Sequence, residues 1–163
     1  MPSFDAVNEV DMQELDNAVN NLKKELANRF DFKNSGTEIE LNKKDEVITI
    51  TSSDDMKMRN LREMLITFAL KRGVDSRVLD FGEVEKAGGA KLRRIVKLKK
   101  GLNKDQAKKI TMLIKASGLK VQSAIMDDKV RITGKKIDDL QAVIHMLKDA
   151  ELDTPLQYVN MKS

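Results

Sequence analysis

The chain repeats itself. Asp11-Met12-Gln13-Glu14 and Asn103-Lys104-Asp105-Gln106 each open a helix-periodic stretch after a short run with strand-like alternation, and Val47-Ile48-Thr49-Ile50-Thr51 returns as Lys129-Val130-Arg131-Ile132-Thr133 ahead of another helix. A repeat of this size confines the fold to an architecture that about 75 residues can complete, with a small two-layer core in each copy. The copies differ in charge. Residues 1–82 carry 12 basic and 16 acidic side chains, and residues 83–163 carry 18 and 10. One architecture is written twice, and the second copy is the one that attracts anions.

Periodicity gives the order of elements. Residues 3–9 alternate as a strand. Asp11 is an N-cap with Glu14 three residues on, and Met12, Leu15, Val19, Leu22 and Leu26 form one helical stripe ending near Arg29. Asn34-Ser35-Gly36 has turn chemistry, and alternation around Ile39, Leu41, Ile48 and Ile50 predicts a hairpin turning at residues 42–45. Ser53 or Asp54 starts a second helix carrying Leu61, Met64, Leu65 and Phe68; Gly73 stops it, and residues 77–81 form a strand. The second copy follows the same order: strand 93–100, helix 104–117, hairpin 119–133, helix 137–148, strand 156–161. This is β-α-β-β-α-β twice, an α+β chain of two tandem ferredoxin-like units, each a four-stranded antiparallel sheet with two helices on one face. The expected division is 1–82, a linker at 83–91 containing Gly88-Gly89, and 92–163. Because the two first strands share one local pattern, an exchange of these strands between the copies fits the sequence equally well.

With the helices covering one sheet face, the residues between core positions lie on the other. In the first copy that face carries Asp5, Val7, Glu9, Glu38, Glu40, Val47, Thr49 and Thr51. In the second it carries Lys97, Lys99, Lys120, Gln122, Lys129 and Arg131, which makes these six the candidate anion site. Arg131 is the only guanidinium among them, the group able to grip a phosphate or a guanine edge with two donors. A secondary basic patch comprises Lys104, Lys108, Lys109 and Lys115, continued by Lys135 and Lys136. Alternating lysines also serve solvation and edge protection. A further reading docks the acidic face of one copy on the basic face of the other.

Several function classes have no support. Sheets of this topology that bind RNA stack bases on central aromatic residues. Here those positions hold Lys, Arg and Thr; Phe68, Phe81 and Tyr158 fall at core, helix or final-strand positions, and Phe30 and Phe32 either pack into the core, the preferred reading, or flank a ligand. The single histidine, His145, reads as a surface helix residue. The pairs Asp54-Asp55, Asp127-Asp128 and Asp138-Asp139 fall at helix starts or a turn, where capping explains them. There is no Cys, no P-loop, no dinucleotide fingerprint and no metal-ligand cluster. No stretch approaches the ~18 apolar residues of a membrane span. The expectation is a cytoplasmic, non-enzymatic protein without cofactor or metal.

Met1-Pro2-Ser3-Phe4-Asp5, Arg29-Phe30-Asp31-Phe32, Lys108-Lys109-Ile110, Lys120-Val121-Gln122, Val130-Arg131-Ile132-Thr133-Gly134-Lys135, Asp138-Asp139-Leu140-Gln141-Ala142-Val143-Ile144 and Pro155-Leu156-Gln157 resemble the YajQ family of small bacterial proteins along essentially the whole chain. The resemblance departs mainly between residues 72 and 91. It implies tandem ribonucleoprotein-like folds and nucleotide binding, with cyclic di-GMP as the guanine nucleotide. It also implies action through a macromolecular partner such as a transcription regulator; RNA binding by the basic face and helix is the alternative. The family brings no binding-residue set with it, so the site residues rest on the sheet-face argument.

Overall fold

The structure, a computed structural model, describes residues 1–163. In chain order the elements are β1 (Ser3–Val7), α1 (Met12–Asn28), β2 (Glu38–Asn42), β3 (Val47–Ser52), α2 (Asp55–Lys71), β4 (Leu79–Phe81), β5 (Glu85–Lys86), β6 (Leu92–Leu98), α3 (Lys104–Ala116), β7 (Val121–Met126), β8 (Lys129–Gly134), α4 (Ile137–Asp149) and β9 (Gln157–Lys162). Local chemistry starts the helices where the sequence predicts. Asp11 Oδ1 accepts from the backbone N–H of Gln13 and Glu14, each at 3.1 Å. Asn103 and Gln106 form a reciprocal capping box at 2.8 and 3.0 Å, and the Gln106 amide continues to the buried Thr154 hydroxyl at 2.6 Å. Each such cap satisfies helix-end donors and contributes about 1 kcal/mol.

The two sheets are antiparallel, ordered β7-β8-β1-β9 and β2-β3-β6-β4, with β5 also paired to β6. Each therefore has the ferredoxin-like strand order, but its second-from-end strand comes from the other repeat. β1 lies between β8 and β9, with Phe4 opposite Ile132 and Ala6 opposite Val130. β6 lies between β3 and β4, with Val96 opposite Ile48 and Phe81. The chain consequently folds as unit 1, residues 1–9 with 100–163, and unit 2, residues 10–99.

This corrects the contiguous division at residues 83–91. That segment is no boundary: Glu85 and Lys86 form β5, paired to Arg93 and Leu92, and the hairpin closes through Ala87 N–H to the Lys91 carbonyl at 2.9 Å. The Gly88-Gly89 pair supplies two left-handed residues for that turn, with φ of 82° and 59°. The chain leaves unit 2 only after Lys99, whose N–H still bonds the Val78 carbonyl at 2.8 Å.

Each unit has its own core. In unit 1, Phe4, Ala6, Val130, Ile132, Leu140 and Val143 are completely buried, with Phe4 meeting Tyr158 edge-on at 5.9 Å. In unit 2, Leu15, Leu22, Ile48, Ile50, Leu61, Leu65 and Val96 play the same part. A buried Phe or Leu contributes about 1.5–3 kcal/mol, so Phe4 binds the N-terminal strand into the sheet built by the C-terminal half. Exchange also redistributes charge. Unit 1 holds 12 basic and 10 acidic residues and unit 2 holds 18 and 16, so the −4 and +8 of the linear halves become +2 and +2.

Candidate functional site

The exchange divides the six expected site residues between two sheets. Lys97 lies on β6 and Lys99 just beyond it, both in unit 2; Lys120, Gln122, Lys129 and Arg131 belong to unit 1. Lys97 stands opposite Asp80 in register and lines a recess of about 330 Å³ together with Asp80, Glu83 and Glu85. Three carboxylates around one ammonium make this recess repel anions. Arg93, on the same open face, is held by Glu85 at 3.2 Å.

In unit 1 the centre of the open face is neutralised from within. Asp5, 1 % exposed, sits opposite Arg131 in the β1–β8 register. Its Oδ1 accepts from Arg131 Nε at 2.9 Å, and its Oδ2 accepts from Arg131 Nη2 at 3.3 Å and Asn160 Nδ2 at 2.9 Å. Lys129 Nζ lies 3.3 Å from the same oxygen. Asn160 reaches it because β9 shifts register between Ser3 and Asp5 and Asn160 adopts φ of 57°, a left-handed conformation that asparagine tolerates. The Arg131 hydrogen bond, outweighing the effect of burial, holds the Asp5 carboxyl far below the ordinary carboxylate range, and Asp5 in turn raises the Arg131 guanidinium. The two groups expected to attract an external anion are thus already occupied by an internal one.

The remaining expected residues gather elsewhere. Lys120 and Gln122, at the start of edge strand β7, share a cleft of about 490 Å³ with Lys135 and Lys136, which connect β8 to α4. Gly134 keeps this junction close: a Cβ there would stand 3.1 Å from Val121 Cγ1 and 3.4 Å from Leu140 Cδ2, so a side chain would require Val121 to give way by a few tenths of an ångström. Lys120, Lys135 and Lys136 are exposed and take part in no ion pair. Asp139, in the first turn of α4, is the acid of the cleft. The volume falls within the ~300–1,000 Å³ of small-molecule sites. Lys104, Lys108, Lys109 and Lys115 are exposed on α3.

Sequence reasoning missed two participants and favoured the core for a third. Asp5 was assigned to the acidic face of the first copy, and its cationic partners depend on long-range register. Asn160 acts through a bulge that alternation does not reveal. Phe30, assigned to the core, is 89 % exposed, whereas Phe32 is 5 % exposed. Residues 30–32 form a 3-10 turn. With three residues per turn, positions two apart point in different directions. His145 is a surface residue, 3.3 Å from Asp149 on the same helix.

Two antiparallel sheets of ferredoxin-like order, completed by exchanged strands, with a lysine-lined cleft at a strand-to-helix junction, define a small α+β protein of tandem ferredoxin-like units. The chain belongs to the family described as nucleotide-binding protein YajQ-like, whose profile matches residues 2–162. Similar proteins include one from Oleidesulfovibrio alaskensis, 54 % identical over the whole of both chains. A Nitratidesulfovibrio vulgaris protein is likewise 54 % identical over both full lengths. A Cytophaga hutchinsonii protein is 46 % identical over 99 % of this chain and 100 % of its own. All three carry the name nucleotide-binding protein. No helix is long and apolar enough to cross a membrane.

Proposed function

We propose that this protein is a non-enzymatic receptor that binds a guanine nucleotide, cyclic di-GMP, in the cleft between β7 and the start of α4, and relays occupancy to a macromolecular partner. The observation that carries the reading is the convergence of Lys120, Gln122, Lys135 and Lys136 on one cleft with none of the lysines paired to an acid. Three ammonium groups supply counter-charge for two phosphodiesters, and the start of α4 adds the positive end of a helix dipole. Gln122 offers both a donor and an acceptor to a base edge. Asp139 supplies a carboxylate for guanine's amine donor, a group adenine lacks at that edge. The family and its relatives support a nucleotide as the ligand.

Calorimetric titration with cyclic di-GMP tests this. The Lys135→Ala/Lys136→Ala double variant should bind at least roughly tenfold more weakly than the parent, the loss of about 1.4 kcal/mol. Unchanged affinity would exclude the cleft. The RNA-binding alternative, through the exposed lysines of α3 and the cleft, requires log affinity for a single strand to fall by about 0.7 per log unit of salt for each phosphate neutralised. A shallow salt response with tight dinucleotide binding supports the receptor.

A further inference from the structure

We infer a second ligand site, in unit 2, that takes a nucleobase on the face of Phe30 and the adjacent phosphate on Lys33 and Lys91. It shares no residue with the cleft of unit 1 and does not rest on that cleft being occupied. Phe30 is the most exposed large apolar side chain in the protein. An aromatic ring left in water forgoes the stabilisation of burial, so folding gives no reason for it. Nor is its exposure that of a loose segment. The turn is closed by Phe32 N–H to the Arg29 carbonyl and Lys33 N–H to the Phe30 carbonyl, at 3.3 and 3.1 Å. It is anchored below by buried Phe32 and by hydroxyls running from Ser35 through Thr37 to Ser52 at 2.5 and 2.8 Å. Arg29 is locked beside it, held by both Asp31 oxygens at 3.0 and 2.9 Å.

Phe30 stands on a cleft of about 660 Å³ lined by apolar Leu26 and Ala27 and by polar Asn28, Lys33 and Asn34, with the carboxylates of Glu38 and Glu40 also on its walls. Lys33 forms no ion pair, and Lys91, itself outside the cleft lining, lies against the lining residue Gly36, its Cε and Nζ each 3.0 Å from where a Cβ on Gly36 would be. Lys23, the remaining lysine, is paired with Glu40 at 3.3 Å. Beside the exposed ring stand the Asn28 and Asn34 amides and the unpaired Lys33 ammonium, groups able to hold a phosphate next to a stacked base. The stacking surface absent from the sheets is thus supplied by a rigid turn at the end of α1.

The chain contains no Trp, so a Phe30→Trp variant carries a single indole emitter at the site. Titration of this variant with GMP, AMP, UMP and a single-stranded RNA decamer should give saturable quenching, shifted at least roughly fivefold to higher concentration by added Lys33→Ala/Lys91→Ala. Ribose 5-phosphate, lacking a base, should not quench. Saturation by the decamer at much lower concentration than by the nucleotides identifies RNA as the source of the ligand; equal concentrations identify free nucleotide. Calorimetry on Phe30→Ala should show the same site weakened roughly tenfold or more. Non-saturable quenching matching that of N-acetyltryptophanamide overturns the inference. Adding Lys135→Ala/Lys136→Ala to Phe30→Trp should leave the titration unchanged, whatever becomes of cyclic di-GMP binding; its loss there would refute a separate site.

Discussion

Replacing Asp5 by Asn tests the internal ion cluster with almost no change in shape. The carboxylate accepts at both oxygens: Oδ2 from Arg131, Asn160 and Lys129, and Oδ1 from Arg131 alone. An asparagine would be least disruptive with its amide nitrogen in the Oδ1 position. There it loses one charge-assisted bond, about 1.5–3 kcal/mol, while the contacts to the remaining oxygen weaken from ionic to neutral. The opposite orientation sets an NH₂ against three donors. A net loss of about 3 kcal/mol is expected, at the lower end for breaking a buried pair. At about 2–4 °C per kcal/mol for a chain of this size, differential scanning calorimetry at pH 7 should find Asp5→Asn melting roughly 6–12 °C below the parent.

The pH dependence fixes the cause. The folded carboxyl lies far below its unfolded value of about 3.9, so its contribution is fully present above that value and disappears as pH falls through it towards the folded value. The melting gap between parent and variant should therefore stay constant from pH 7 to about pH 5 and shrink steadily below about pH 4. Melting within about 2 °C of the parent at pH 7 would refute the proposed strength of the cluster. A gap that persisted undiminished under acid would show that packing rather than charge is responsible.

Two further outcomes follow from the fold. A fragment of residues 10–99 should melt cooperatively by circular dichroism, because it contains all strands of its sheet, whereas residues 1–82 should not, because without β6 nothing bridges β3 and β4. Cooperative folding of 1–82 with 10–99 unfolded would contradict the exchange. Gly134→Ala should cost about 1–3 kcal/mol in chemical denaturation by forcing a methyl group against Val121 and Leu140; a neutral effect would mean that the junction can relax.

The cleft proposed to bind nucleotide was only partly legible. Lys120, Gln122, Lys135 and Lys136 stood out as basic or polar residues, but in two separate groups, and their meeting depends on the hairpin edge coming alongside the start of α4. Lys129 and Arg131 were correctly read as facing away from the core, yet their charge is answered by Asp5, which lies 126 residues from Arg131 in sequence. Phe30 and Phe32 were legible as residues that either join the core or flank a ligand, and only the 3-10 turn separates the two, burying Phe32 and exposing Phe30.

The amino-acid sequence by itself determined the elements, their order and their buried faces, because caps, turns and periodicity act over a few residues. It also carried the reversal of charge between the repeats. Only the tertiary structure decided which sheet receives each first strand. β1 and β6 share one alternation of apolar positions, Phe4 and Ala6 against Val96 and Leu98, so periodicity alone does not assign either strand to a sheet. What separates them lies on the opposite face, where acidic Asp5 meets Arg131 and Lys129 while basic Lys97 and Arg93 meet Asp80 and Glu85. Those pairings depend on register between distant segments, and through them the charge asymmetry of the repeat becomes the internal neutralisation of two exchanged sheets.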